Sequence, residues 1–80
     1  MYLEKIDSND AAAYNNRGIA YRRLKQYERA IHDYNKAIEL NPEFAGAYYN
    51  RGLAYYDLKQ YEKEQEDYEK ALEFDPCVFG

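Results

Sequence analysis

Small, aromatic and aliphatic residues recur along this chain three and four positions apart. Ala13, Tyr14, Arg17, Ala20, Tyr21 and Leu24 keep that spacing, which gathers them on one side of a helix. The pattern predicts a first helix over about Ala11 to Leu24. After the short link Lys25-Gln26, the set Tyr27, Ala30, Ile31, Tyr34, Ala37 and Ile38 keeps the same period to about Leu40, predicting a second. Asn41-Pro42 stops it, because proline lacks the amide proton that continues the ladder and its ring clashes with the preceding turn. A third and a fourth helix follow over about Ala45 to Leu58 and Tyr61 to Phe74. Asp7, Asn41 and Asp75 stand 34 residues apart and are each expected to cap a following helix, with Pro42 in the first turn. Tyr2, Leu3 and Ile6 read as the tail of a preceding helix, and Pro76 to Phe79 as the start of a following one, as in a piece of a longer array.

The two halves are copies of one unit. Tyr14, Tyr21, Tyr27 and Tyr34 return as Tyr48, Tyr55, Tyr61 and Tyr68, and laying residues 11–44 over 45–78 gives identity at 19 of 34 positions. A repeat of this length is a two-helix element that cannot bury its apolar face alone and therefore stacks on its neighbours. The expected fold is all-α, an α-solenoid of two antiparallel helix-turn-helix hairpins in a single domain over residues 1–80. Repeat one spans about 11–44 and repeat two about 45–78, with 1–10 a remnant of a preceding helix and cap. Gly18 and Gly52 sit in mid-helix, where glycine costs about 1 kcal/mol relative to alanine. Their shared register implies that a helix approaches closely there. Ala30 is expected opposite Gly18, with Ala37 left to meet the next hairpin.

These residues carry a resemblance to the tetratricopeptide repeat family. Its pattern of an aromatic, a glycine four positions on, a tyrosine three further, then alanines and a proline is met by Tyr14, Gly18, Tyr21, Ala30, Ala37 and Pro42. It returns as Tyr48, Gly52, Tyr55, Ala71 and Pro76. The resemblance spans nearly the whole chain and implies a protein-interaction module, whose concave surface of first helices holds extended peptide segments of partners. Carried over by position, that groove is lined by Asn15, Asn16, Ile19, Arg22 and Arg23 and by Tyr49, Asn50, Leu53, Tyr56 and Asp57. The chemistry suits a peptide: amides donate and accept, tyrosines give broad contact at low entropic cost, and arginine can fork onto a carboxylate. Tyr49 and Tyr56 replace Asn15 and Arg22 of the first repeat, and seven residues apart they share a helical face, either open in the groove or covered by a neighbouring repeat. Some family members grip a partner's C-terminal carboxylates with lysines, arginines and asparagines drawn from three repeats. Asn16 and Asn50 match that set, but Asn15 and Ile19 stand where a lysine and an asparagine are wanted, so chaperone-tail binding is not expected. Arg17 and Arg51 are expected to stabilise the repeats rather than meet a ligand.

The second repeat departs from the first at one place, with Glu64 and Gln65 where Ala30 and Ile31 stand. A glutamate in a small contact position must bend to solvent or push the helices apart, since burying it unpaired costs several kcal/mol. Two outcomes are open: a frayed or relaxed end repeat, or a second hairpin that opens and packs on another copy of the chain.

Composition narrows the function. Hydrophobic residues make up 46% of the chain, but eleven are tyrosines, whose hydroxyls need a partner or water when the ring is buried. Residues 1–40 hold seven Lys or Arg against six Asp or Glu, a balance of +1, while 41–80 hold four against nine, a balance of −5. That asymmetry reads first as an ordinary solvated charged face, and second as a means of steering head-to-tail contact between copies, a basic first helix covering an acidic second one. Overall acidity argues against nucleic acid, which demands clustered lysine and arginine. No apolar run approaches the roughly 18 residues of a membrane span. The single cysteine, Cys77, can form no internal disulfide, which favours an intracellular, cytoplasmic setting. One histidine, His32, one serine, Ser8, and no threonine leave no nucleophile, base and orienter to assemble, and no metal or cofactor site is expected. His32-Asp33 and the pair Glu66-Asp67 read as solvated surface. The expected function is peptide binding without catalysis; the alternative is a self-association element, because two repeats fall short of the three or so that stacked folds usually need.

Overall fold

The computed structural model describes residues 8–79, to which every structural statement here refers. Four α-helices follow one another: α1 (Ala11–Arg23), α2 (Tyr27–Leu40), α3 (Ala45–Asp57) and α4 (Tyr61–Phe74). Periodicity had placed all four within a residue. α1 packs along α2 and α3 along α4 as two hairpins; α2 against α3 joins them, with α1 also touching α3.

The turns inside the hairpins are copies of one another. Lys25 and Lys59 adopt the left-handed conformation, with φ of 62° and 61°. Around the first, the Gln26 amide donates to the Tyr21 carbonyl and the Lys25 amide to that of Arg22, both at 2.9 Å; Gln60 to Tyr55 and Lys59 to Tyr56 repeat this. This is a Schellman closure, which satisfies the last carbonyls of a helix with a residue at positive φ.

The helix starts differ from the expectation. Asp10 caps α1, its carboxylate accepting from the Ala13 amide at 3.1 Å. Position 44, in the same register, is Phe44, which begins α3 with no side-chain cap. Asn41 and Asp75 close the preceding helices instead, and their side chains accept from the amides of Glu43 and Cys77, two residues on. Because residues 42–44 and 76–79 are not helical, these bonds close turns rather than cap a helix. Pro42 accordingly lies in the turn before α3, where its carbonyl accepts from the Tyr48 hydroxyl at 3.1 Å. Residues 76–79 form turns rather than a helix. Asp7 and the segment with Tyr2, Leu3 and Ile6 lie outside the described residues.

The core is built of alanine and tyrosine. Ala30, Ala37, Ala47, Ala54 and Ala71 are fully buried together with Tyr34. A Cβ on Gly18 would lie 2.5 Å from Cε1 of Tyr34, and one on Gly52 2.7 Å from Cε1 of Tyr68. The atoms nearest the glycines are therefore those of a tyrosine ring, Tyr34 in the first hairpin and Tyr68 in the second. Ala30 instead joins Tyr34 and Ala54 of α3 in one cluster that ties the two repeats, with Ile19, Tyr21 and Ile31 packed around it. Glu64 lies with Asp67, Tyr68, Ala71 and Phe74 on the one stripe of α4 that is withdrawn from solvent, the stripe turned to α3. α4 spans 14 residues like α2, and the second hairpin is closed. Glu64 is half-buried, with its carboxylate beside the Tyr68 hydroxyl one turn on.

Candidate functional site: the face of α1 and α3

The pairing of α1 with α3 gives the molecule a shared face whose side chains are tied across the repeats. Asn50 Nδ2 donates to Asn15 Oδ1 at 3.0 Å, and Arg22 Nε donates to Asp57 Oδ2 at 2.6 Å. Four of the ten predicted groove residues are thus joined in two rungs. Asn15 is buried, which its polar side chain tolerates because the amide of Asn50 satisfies its oxygen. Asn16 and Arg23 are exposed; Leu53 is half-buried. Ile19 does not stand free in a groove but packs against the Ala30–Tyr34–Ala54 cluster.

The two distinctive tyrosines part company. Tyr49 is covered, its ring 5.8 Å from that of Tyr68 and 5.0 Å, nearly edge-on, from Phe79. Tyr56 is open, 54% exposed, with an edge contact to Tyr61, itself equally exposed. A shared helical face did not give them a shared environment, because the chain after α4 folds back over only one of them.

Behind this face each repeat carries a buried ion pair that sequence reading took for surface charge. Arg17 Nε and Nη2 both donate to the Asp33 carboxylate at 2.8 Å; Arg51 holds Asp67 in the same fork at 2.8 and 2.7 Å. Asp33 and Asp67 are 1% and 3% exposed. Each guanidinium also lies between two rings: Arg17 is 5.7 Å from those of Tyr14 and Tyr21, and Arg51 is 5.5 and 5.8 Å from Tyr48 and Tyr55. Stacking and a planar fork are what arginine supplies and lysine does not. The hydrogen bonds to the aspartates raise the pKa of both guanidinium groups, against the lowering effect of burial. The structural role expected of Arg17 and Arg51 is thereby explained, and Arg51 adds an inter-repeat bond, Nη1 donating to Asn35 Oδ1 at 2.8 Å.

Tyr34 stands beneath the face. Burial pushes its hydroxyl up to about 12, aided by Asp33 and Asp57 and opposed by Arg22, and its oxygen has no hydrogen-bond partner. Tyr68 is likewise pushed up to about 12, by burial first and then by the Glu64 carboxylate. Ser8, His32 and Cys77 are all exposed and fall before α1, on α2 and after α4. No group of three or more His, Cys, Asp or Glu is placed to hold a metal, and no helix is long and apolar enough to cross a membrane, among the described residues.

Comparison with known proteins agrees with this geometry. Tetratricopeptide repeat profiles match residues 11–44 and 45–76. No curated protein matches. Among solved structures, the first TPR of Spaghetti (RPAP3) bound to the HSP90 peptide SRMEEVD is 38% identical, with a TM-score of 0.84 over 88% of this chain and 56% of that one. MamA is 36% identical, with a TM-score of 0.85 over 88% of this chain and 41% of that one. The TPR2B domain of yeast Sti1, in a complex with pHsp70, is 37% identical at a TM-score of 0.82, covering 88% and 56%. The chain therefore spans about half the length of these relatives. Two profile matches in tandem, four helices in the expected order and these structural likenesses make the chain a member of the tetratricopeptide repeat family.

Proposed function

We propose that this chain is a non-enzymatic protein-interaction module that binds an extended peptide segment of a partner on the α1/α3 face. The observation that carries the reading is the pair of rungs, Asn15–Asn50 and Arg22–Asp57, which hold amide and charged groups in fixed places beside the open ring of Tyr56. Prepositioned polar groups lower the ordering cost of binding. The related structures bound to HSP90 and Hsp70 segments support peptide recognition as the class of activity. They do not supply the ligand, because Arg22, the arginine best placed to meet a carboxylate, is already held by Asp57. The expected ligand is a neutral stretch with an aromatic or aliphatic side chain for Tyr56, in an intracellular, cytoplasmic partner. A library of immobilised peptides tests this: saturable binding that weakens about tenfold on Tyr56→Ala, the loss expected of an aromatic anchor, supports it. Binding left unchanged by that substitution would falsify the assignment of the face.

A second reading is self-association through the terminal helices. α1 carries Arg17, Arg22 and Arg23 and no acid, while α4 carries six acids against two lysines. Light scattering that gives the mass of one chain at every concentration sets this reading aside.

A further inference from the structure

Tyr34 and Tyr68 share one register, but only Tyr68 has a polar neighbour at its hydroxyl, the Glu64 carboxylate one turn back. In the first repeat that place is Ala30, which offers no polar side-chain atom. The Tyr34 hydroxyl is therefore fully buried with no hydrogen-bond partner among the described residues. A buried hydroxyl in this state costs free energy, and the large majority of such groups in folded proteins are paired. Gly18 sets where it lies. With no Cβ there, the ring edge runs close along α1, its Cε1, Cδ1 and Cζ atoms 2.5, 2.8 and 3.1 Å from where a Cβ would stand. Asn15 and Arg22, three residues before Gly18 and four after it, are its neighbours on the helix surface and carry the two rungs to α3. The hydroxyl thus belongs to the floor of the α1/α3 face, within the influence of Arg22 and Asp57. Gly18, Ile19, Ala30 and Ala54 enclose the residue from α1, α2 and α3, so its burial is set inside the pair of repeats.

A neutral polar group suits this hydroxyl best. The two acids that act on it are each already neutralised, Asp33 by Arg17 and Asp57 by Arg22, so nothing there compensates an ion for the loss of its water. The bond to Arg22 uses Oδ2 of Asp57, and Oδ1 accepts no hydrogen bond among the described residues. A primary carboxamide matches both vacant positions, because it carries an acceptor and a donor side by side. The way in passes the Arg22–Asp57 rung, whose side chains are 32% and 21% exposed, so water screens the pair and it yields at little cost. We propose that the floor of the α1/α3 face beside this rung is a subsite for a glutamine side chain of the bound peptide, its carboxamide oxygen accepting from the Tyr34 hydroxyl and its nitrogen donating to Asp57 Oδ1. Glutamine fits better than asparagine, since the hydroxyl lies below the rung and the extra methylene supplies the reach. The proposal rests on the reading of this face as a peptide-binding surface and adds to it the side chain that the floor selects.

Three capped tetrapeptides test it. One is Phe-Ala-Gln-Ala, which presents a phenylalanine for Tyr56 and the glutamine on the same side of an extended strand; the others carry leucine or lysine in place of the glutamine. Each is titrated by NMR onto the full chain and its Y34F, D57A and Y56A variants, with circular dichroism checking that the variants stay folded. The glutamine peptide is expected to bind about tenfold more tightly than the other two, as pairing an orphaned buried group would give. That advantage is expected to vanish on Y34F and on D57A, while the leucine peptide binds Y34F as it binds the parent chain. Equal affinities for the three peptides, or an advantage that survives either substitution, would overturn the proposal. Where those equal affinities still fall on Y56A, the peptide-binding reading of the face stands without it. No saturable binding of any of the three would sink both.

Discussion

Asp33 and Asp67 show how differently two kinds of arginine pair act in this molecule. Removing one partner of a buried, forked pair leaves an uncompensated charge and costs about 3–5 kcal/mol. Small domains have total stabilities near the lower end of about 5–15 kcal/mol. Arg17→Ala is therefore expected to leave about 0–2 kcal/mol and to unfold up to about half of the protein at room temperature, read as a partial loss of the helical circular dichroism signal. Arg22→Ala, which breaks a pair whose side chains are 32% and 21% exposed, is expected to cost only about 1 kcal/mol. The buried pairs left a trace in the sequence: Asp33 and Asp67 are identical between repeats while their neighbours change, His32 to Glu66 and Asn35 to Glu69. Acids on a polar helix face still read as surface, because their partners sit 16 residues away on another helix. Lys25 and Lys59 offer a gain in the opposite direction. Left-handed backbone costs a residue with a Cβ about 1–2 kcal/mol, part of which glycine returns as unfolded-state entropy. Lys25→Gly is expected to raise the urea midpoint by the equivalent of about 0.5–1 kcal/mol.

At the scale of the element, α2 and α4 have one length and one register but different environments, and a pair of reciprocal substitutions separates them. Ala30 is sealed between the repeats, so Ala30→Glu is expected to cost several kcal/mol as an unpaired buried carboxylate. Glu64→Ala, at a half-buried position that no second hairpin seals, is expected to change stability by no more than about 0.5 kcal/mol. Equal effects in thermal melts would contradict the difference in burial between the two positions. Helix boundaries were legible in the sequence because turn-forming residues and a strong period agree there. The partner of each glycine was not. A Cβ-less position says that something comes close, not whether a tyrosine or an alanine does so, and the ring of Tyr34 reaches farther than its own turn suggests. The helix starts were missed for a similar reason: Asp7, Asn41 and Asp75 share a register, but a side chain that reaches two residues on builds a turn as readily as a cap. Of the candidate site, the positions were legible and their mutual bonds were not. Asn15–Asn50 and Arg22–Asp57 join residues 35 apart, a separation set by stacking and invisible to any single helix.

For the molecule as a whole, base is a selective denaturant. The hydroxyls of Tyr34 and Tyr68 are raised from 10.0 to about 12 in the folded state, chiefly by burial, so folding favours their neutral form. That contribution is complete below the unfolded value of 10.0 and is lost as pH climbs towards 12. Unfolding followed by circular dichroism is expected to set in within that window, and the ultraviolet signal of the last tyrosinates to appear with it. Tyrosinate absorbance that reached its plateau before the helices melted would show that Tyr34 is not sealed. One bond also bears on how the molecule opens. Arg51 grips Asp67 in its own hairpin and Asn35 in the one before, so a single guanidinium serves as a latch between units. An excursion that frees α4 alone leaves that latch half shut and the first hairpin covered. Release of α3 takes both away at once. Amide protons of α4 should therefore exchange with deuterium ahead of all others in the hairpins, while those of α2 and α3 wait for the whole chain to come apart.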